Sequence, residues 1–71
     1  MTDYELQVLK ANMLGGMYDY LGQDDEAYAV WIMGFPDEPT EEDLMEIAGD
    51  SAQWRLACEL FGKIVKNFEL V

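Results

Sequence analysis

Asp25-Glu26-Ala27-Tyr28-Ala29-Val30-Trp31-Ile32-Met33-Gly34-Phe35 is the stretch on which the fold class turns. Val30, Trp31 and Ile32 all suit a strand. The spacing argues otherwise. Tyr28, Trp31, Ile32 and Phe35 fall at i, i+3, i+4 and i+7, one face of a helix, and no clean alternation of polar and apolar residues is present. Asp24 is a good N-cap, and Asp25 and Glu26 suit the positive end of a helix dipole. The pattern predicts a helix from about Asp25 to Met33, stopped by Gly34 and Pro36.

Working outward, the chain before this stretch predicts a helix from about Asp3 to Leu21. Thr2 and Glu5 have capping-box spacing. Leu6, Leu9, Met13, Met17 and Tyr20 recur at helical spacing and are the expected core stripe. Gly15 and Gly16 each weaken a helix by roughly 1 kcal/mol relative to Ala, and mark a kink or a close helix approach. Gly22 is the expected C-cap.

Beyond the loop Phe35-Pro36-Asp37-Glu38-Pro39, Thr40 caps a short helix of about Glu41 to Ala48. Its inward face is Leu44, Ile47 and Ala48, and Gly49 ends it. Asp50 and Gln53 have the spacing of another capping box, opening a last helix of about Ser51 to Phe68. The stripe there is Trp54, Ala57, Phe61, Ile64, Val65 and Phe68, with Leu60 beside it. Arg55, Glu59, Lys63 and Lys66 lie away from its centre. Four short helices with short connections predict an all-α compact bundle, with residues 1–71 as a single acidic helical domain.

Composition limits what such a domain does. Half of the 71 residues are apolar, enough for one core, and the formal net charge is −11. That charge repels nucleic acid and anionic lipid, so direct nucleic-acid or membrane binding is not expected. The apolar run from Ala27 to Phe35 is too short to span a bilayer. No basic-then-apolar leader pattern opens the chain, and a single cysteine, Cys58, excludes an internal disulfide, so a reducing cytoplasm is the expected compartment.

Catalytic and metal chemistry find little support. There is no histidine, which removes the commonest general base and the Ser-His and Cys-His arrangements. The only serine, Ser51, is accounted for by a helix start. Cys58 reads as a small buried thiol. Zinc lacks a second Cys or any His. Calcium loops started at Asp24 or Asp37 fail, with Ala29 or Glu42 at the sixth position where Gly is needed. Enzyme activity and a cofactor are not expected.

The charge is unevenly placed. Eleven acids and no Lys or Arg lie between Asp19 and Asp50. Helix N-termini account for some of them. The rest form either a solvated acidic face or a binding surface. Carboxylates one turn apart stand about 5–6 Å from each other, the order of the spacing between nucleic-acid phosphates. On the second reading, Asp24, Asp25, Glu26, Asp37, Glu38, Glu41, Glu42, Asp43, Glu46 and Asp50 would occupy a groove of Lys and Arg on a basic protein partner, chiefly a nucleic-acid-binding protein. A second class of function is a helical adaptor, or a homodimer, that binds through exposed aromatics such as Trp31 or Phe35.

Tyr28 to Asp37, followed by Thr40-Glu41-Glu42-Asp43-Leu44 and Ile47-Ala48, resembles small acidic proteins encoded by phages and integrated mobile elements of Gram-positive bacteria. The resemblance covers roughly the central third. Such elements carry small acidic inhibitors of host defence, including anti-CRISPR and anti-restriction proteins. It implies an inhibitor, with a CRISPR effector among the targets, and carries over no functional residue.

Overall fold

The computed structural model describes the backbone of residues 1–69 and the side chains of residues 1–65. Among these residues the chain is all-α: α1 (Asp3–Leu21), α2 (Asp25–Trp31), α3 (Glu41–Gly49) and α4 (Ser51–Glu69). Lys66 and Phe68, placed above on the last helix, lie outside the described side chains.

Local hydrogen bonding sets each start. Thr2 Oγ1 accepts from Glu5 N and the Glu5 carboxylate accepts from Thr2 N, closing the expected capping box. Asp24 accepts from the amides of Glu26 and Ala27. Thr40 and Asp43 close a second reciprocal box. Asp50 accepts from Ala52 N and Gln53 N, but Gln53 does not return the bond to the Asp50 amide, which instead donates to Ile47 O. Asp50 is therefore a simple N-cap.

The second helix ends at Trp31, two residues before the expected Met33. Met33 N and Gly34 N reach back only three residues, to Val30 O and Trp31 O, so the chain tightens into turns and leaves Met33 exposed. Those turns fold Phe35 back against Trp31, the rings stacked at 4.5 Å. Tyr18 meets the same indole edge-on at 5.6 Å. Trp31, Leu14 and Leu21 are the largest fully buried side chains, and Ala27, Ile47, Ala57 and Ile64 complete the core around them.

The first helix corrects the expected stripe. Its buried residues are Ala11, Leu14, Tyr18 and Leu21. Leu6, Leu9, Met13 and Tyr20 are exposed, and Met17 is half-buried. The helix is apolar nearly all round, so periodicity offers two faces. Packing against α3 selects the one that carries the small residues Ala11 and Gly15. A Cβ on Gly15 would lie 3.8 Å from Leu44 Cδ1, ordinary contact, so neither a kink nor an obligatory glycine is needed there. Gly22 caps in right-handed geometry, φ −64°, rather than the left-handed one a glycine C-cap usually supplies.

The tightest approach to a glycine lies at Gly49 instead, against the movable end of the Gln7 side chain. A Cβ there would stand 2.6 Å from Gln7 Nε2, which donates to Met45 O at 2.7 Å and ties α1 to the end of α3. Gly49→Ala displaces that amide and costs about 1 kcal/mol, the worth of one hydrogen bond. In a Gln7→Ala background the same change is close to neutral. Urea denaturation of the two single variants and the double variant checks this non-additivity.

Cys58 is exposed, which corrects the expectation of a buried thiol. The buried line on α4 passes through its neighbour Ala57 and on to Ile64. No helix among the described residues is long and apolar enough to cross a membrane.

Candidate functional site

The ten candidate acids fall in three places. Asp24, Asp25 and Glu26 open α2. Asp37 and Glu38 sit in the loop from α2 to α3, joined by Glu41, Glu42 and Asp43 on the first turn of α3, with Glu46 about a turn further on. Asp50 stands at the far end of α3, about 13 Å away along the helix axis. All are exposed except Asp43, which is half-buried.

Hydrogen bonding divides them by role. Asp24, Asp43 and Asp50 are helix caps. Asp37 accepts from the Tyr28 hydroxyl at 2.7 Å. Among the described residues no protein donor engages the carboxylates of Asp25, Glu26, Glu38, Glu41, Glu42 or Glu46. No Lys or Arg lies between residues 19 and 50 to pair with them. The nearest cation in the chain before that region, Lys10, is directed over the Trp54 ring, 5.6 Å from its centroid.

The middle group is held by two tyrosines. Tyr18 Oη donates to Pro36 O at 2.7 Å, fixing the start of the loop to α1. Tyr28 Oη donates to Asp37 and also accepts from Glu38 N at 3.2 Å. That second bond secures Glu38 at φ 49°, a left-handed conformation costly for a residue with a Cβ. Tyr28→Phe removes both bonds, and the loop loses about 1–2 kcal/mol of local support. The expected result is faster amide exchange at Glu38 and a lower urea midpoint.

The same geometry raises the pKa of both phenols. Burial raises the Tyr18 pKa, with smaller upward contributions from the Tyr28, Asp43 and Asp37 charges. The Tyr28 pKa is raised first by its hydrogen bond to Asp37. The Asp50 pKa is lowered, chiefly by the Gln53 amide it caps, and that of Glu5 is lowered by the Thr2 amide. The Trp31 indole N–H is buried without a hydrogen-bond partner. It lies near enough to the Tyr18 hydroxyl to oppose the rise in that group's pKa, second in effect only to burial, without reaching hydrogen-bond geometry.

Two features escape a sequence reading. Nothing in the pattern marks Tyr28 and Tyr18 as the residues that shape the acidic loop. The apolar outer face of α1 is also hidden, because its residues look like core. Trp31 and Phe35, offered above as exposed aromatics, are buried and cannot anchor a partner. Among the described residues the exposed rings are Tyr4 and Tyr20, and one side of Tyr20 meets Phe61 edge-on at 5.8 Å. Among the described residues no group of three or more His, Cys, Asp or Glu is placed to hold a metal ion. No family model matches the chain, and comparison with curated proteins and with solved structures also finds no match.

Proposed function

We propose that this protein is a non-enzymatic inhibitor that binds a basic protein surface, occupying with its carboxylates a site that would otherwise hold nucleic-acid phosphates. The observation that carries the reading is the set of six exposed carboxylates, Asp25, Glu26, Glu38, Glu41, Glu42 and Glu46, engaged by no donor among the described residues. They stand on capped helices and a tied loop, so little order is lost on binding. Glu42 and Glu46 are one turn apart on α3, about 5–6 Å, the phosphate-like spacing. The resemblance of residues 28–48 to phage and mobile-element proteins favours a host defence enzyme, such as a CRISPR effector, as the target.

A helical adaptor binding through aromatic rings is the second reading, and it now rests on Tyr4 and Tyr20. The two separate in an affinity capture from bacterial lysate on the immobilised protein, eluted by a salt gradient with and without competing DNA. The inhibitor reading expects a nucleic-acid enzyme released by moderate salt or by DNA. A partner that resists both overturns it in favour of the adaptor.

A further inference from the structure

The outer face of α1 carries Leu6, Leu9, Met13, Gly16 and Tyr20, spaced by three, four, three and four residues. This is the a/d seam of a coiled coil over two heptads. It lies away from the core line of Ala11, Leu14, Tyr18 and Leu21, and its four side chains are 41–50 % exposed, with Tyr20 touching α4 edge-on through Phe61 at 5.8 Å. No charged residue occupies a seam position.

Gly16 is the second observation. A Cβ on it would meet nothing within 4 Å, and its φ is not positive. A mid-helix glycine lowers helix stability, and among the described residues nothing uses its missing side chain. On the outer seam it lets another backbone approach closely.

Charge identifies the occupant. Residues 1–18 carry a net charge of only −1, against −11 for residues 19–50. Two copies meeting through α2 and α3 would set acid against acid. Through α1 they meet where the chain is nearly neutral. Charge also selects the orientation. With Leu6 and Met13 at a, Glu5 is a g position and Lys10 an e position. Parallel helices bring Glu5 of one copy toward Lys10 of the other, twice by symmetry, with Lys10 shared between that carboxylate and the Trp54 ring and Glu5 keeping its bond to the Thr2 amide. Antiparallel helices would oppose Lys10 to Lys10 and Glu5 to Asp19.

We infer that the protein forms a parallel, two-fold symmetric homodimer through the Leu6–Tyr20 face of α1, with Gly16 at the point of closest approach and the acidic regions of both copies left uncovered. The inference does not depend on the basic-partner reading, and salt distinguishes them. Salt weakens attraction to a basic partner. It strengthens the dimer, because it screens repulsion between two copies each of charge −11.

The test is sedimentation equilibrium of the full chain from about 10 µM to about 1 mM, at about 0.05 and 0.5 M salt. The expected mass rises toward twice the monomer's 8.1 kDa, at lower concentration in high salt. Leu9→Glu weakens association at least about tenfold with an unchanged circular dichroism spectrum. Gly16→Ala weakens it while raising the melting midpoint of the dilute monomer, which a purely intramolecular role for Gly16 would not produce. In a Cys58→Ser background, Leu6→Cys forms an intermolecular disulfide. The parallel seam brings the two positions together, whereas the antiparallel one holds them about 15 Å apart. A monomer at every concentration overturns the inference, as does a dimer indifferent to Leu9→Glu. A dimer without the Leu6→Cys cross-link overturns its parallel register.

Discussion

Trp31→Ala is expected to remove a large part of the protein's folding stability and to lower its urea midpoint sharply. The side chain is fully buried, stacked on Phe35 at 4.5 Å and met edge-on by Tyr18 at 5.6 Å. Truncating such a residue costs about 3–5 kcal/mol. A domain of this size holds about 4–10 kcal/mol in all, at roughly 0.05–0.15 kcal/mol per residue. Loss of Trp31 also removes the platform that folds Phe35 back, so the loop behind it is released. Trp31→Phe is the control. The indole N–H has no hydrogen-bond partner, so this change removes ring volume and no bond, at about 1–2 kcal/mol. Urea melts followed by circular dichroism distinguish the two. A folded Trp31→Ala protein with a near-normal midpoint would show that the core is not organised around this ring.

The triple variant Glu41→Lys, Glu42→Lys and Glu46→Lys is expected to lose binding to a basic partner by at least about 100-fold and to keep its helical spectrum. All three side chains are exposed and none accepts a hydrogen bond among the described residues. Net charge falls in magnitude from −11 to −5. The loss should lie mainly in the association rate, since charge complementarity acts most strongly on encounter. Reversing Glu41 and Glu42 costs a few tenths of a kcal/mol each through the helix dipole. Asp43 is left in place deliberately. It closes the Thr40 capping box, and its loss would cost about 1 kcal/mol, confusing a fold defect with a binding defect. Unchanged affinity in the triple variant would remove the acidic face from the account.

These choices show which parts of the molecule a sequence reveals. The starts of all four helices were legible because a cap is a bond between residues two or three apart. Thr2, Asp24, Thr40 and Asp50 each do what their neighbours require. The reading of residues 25–33 as helical also followed from local spacing; it excluded the sheet, but it ran two residues past Trp31, where the helix ends. The inward face of α1 was not legible. With Leu, Met, Tyr and Ala on both sides, period alone cannot say which face α3 will take, and the choice rests on how closely Ala11 and Gly15 let another helix approach. Cys58 failed for a related reason, since one residue's shift around α4 moves a side chain from Ala57's buried line to the surface.

The acidic region was legible as composition and only partly as a site. Exposure followed from charge, because unpaired carboxylates stay in water. The division between carboxylates occupied by caps or by Tyr28 and those left free could not be read in full. Asp24 and Asp50 were recognisable as caps. Asp43 and Asp37 were not, because one closes its box as an Asp where the signature has Glu or Gln and the other is met by a ring nine residues earlier in the chain. Nor did the sequence show that Asp50 stands apart from Asp37 and Glu38, at the opposite end of α3.

Binding through unpaired carboxylates is separated from binding through apolar side chains most directly by the affinity of the captured partner for the full chain, measured across ionic strengths from about 0.05 to 0.5 M. With carboxylates at the interface, log Kd rises steeply and linearly with log salt, and the slope shrinks in the Glu41, Glu42, Glu46 variant. An affinity that stays flat with salt, and is equal in the variant, would contradict binding through carboxylates.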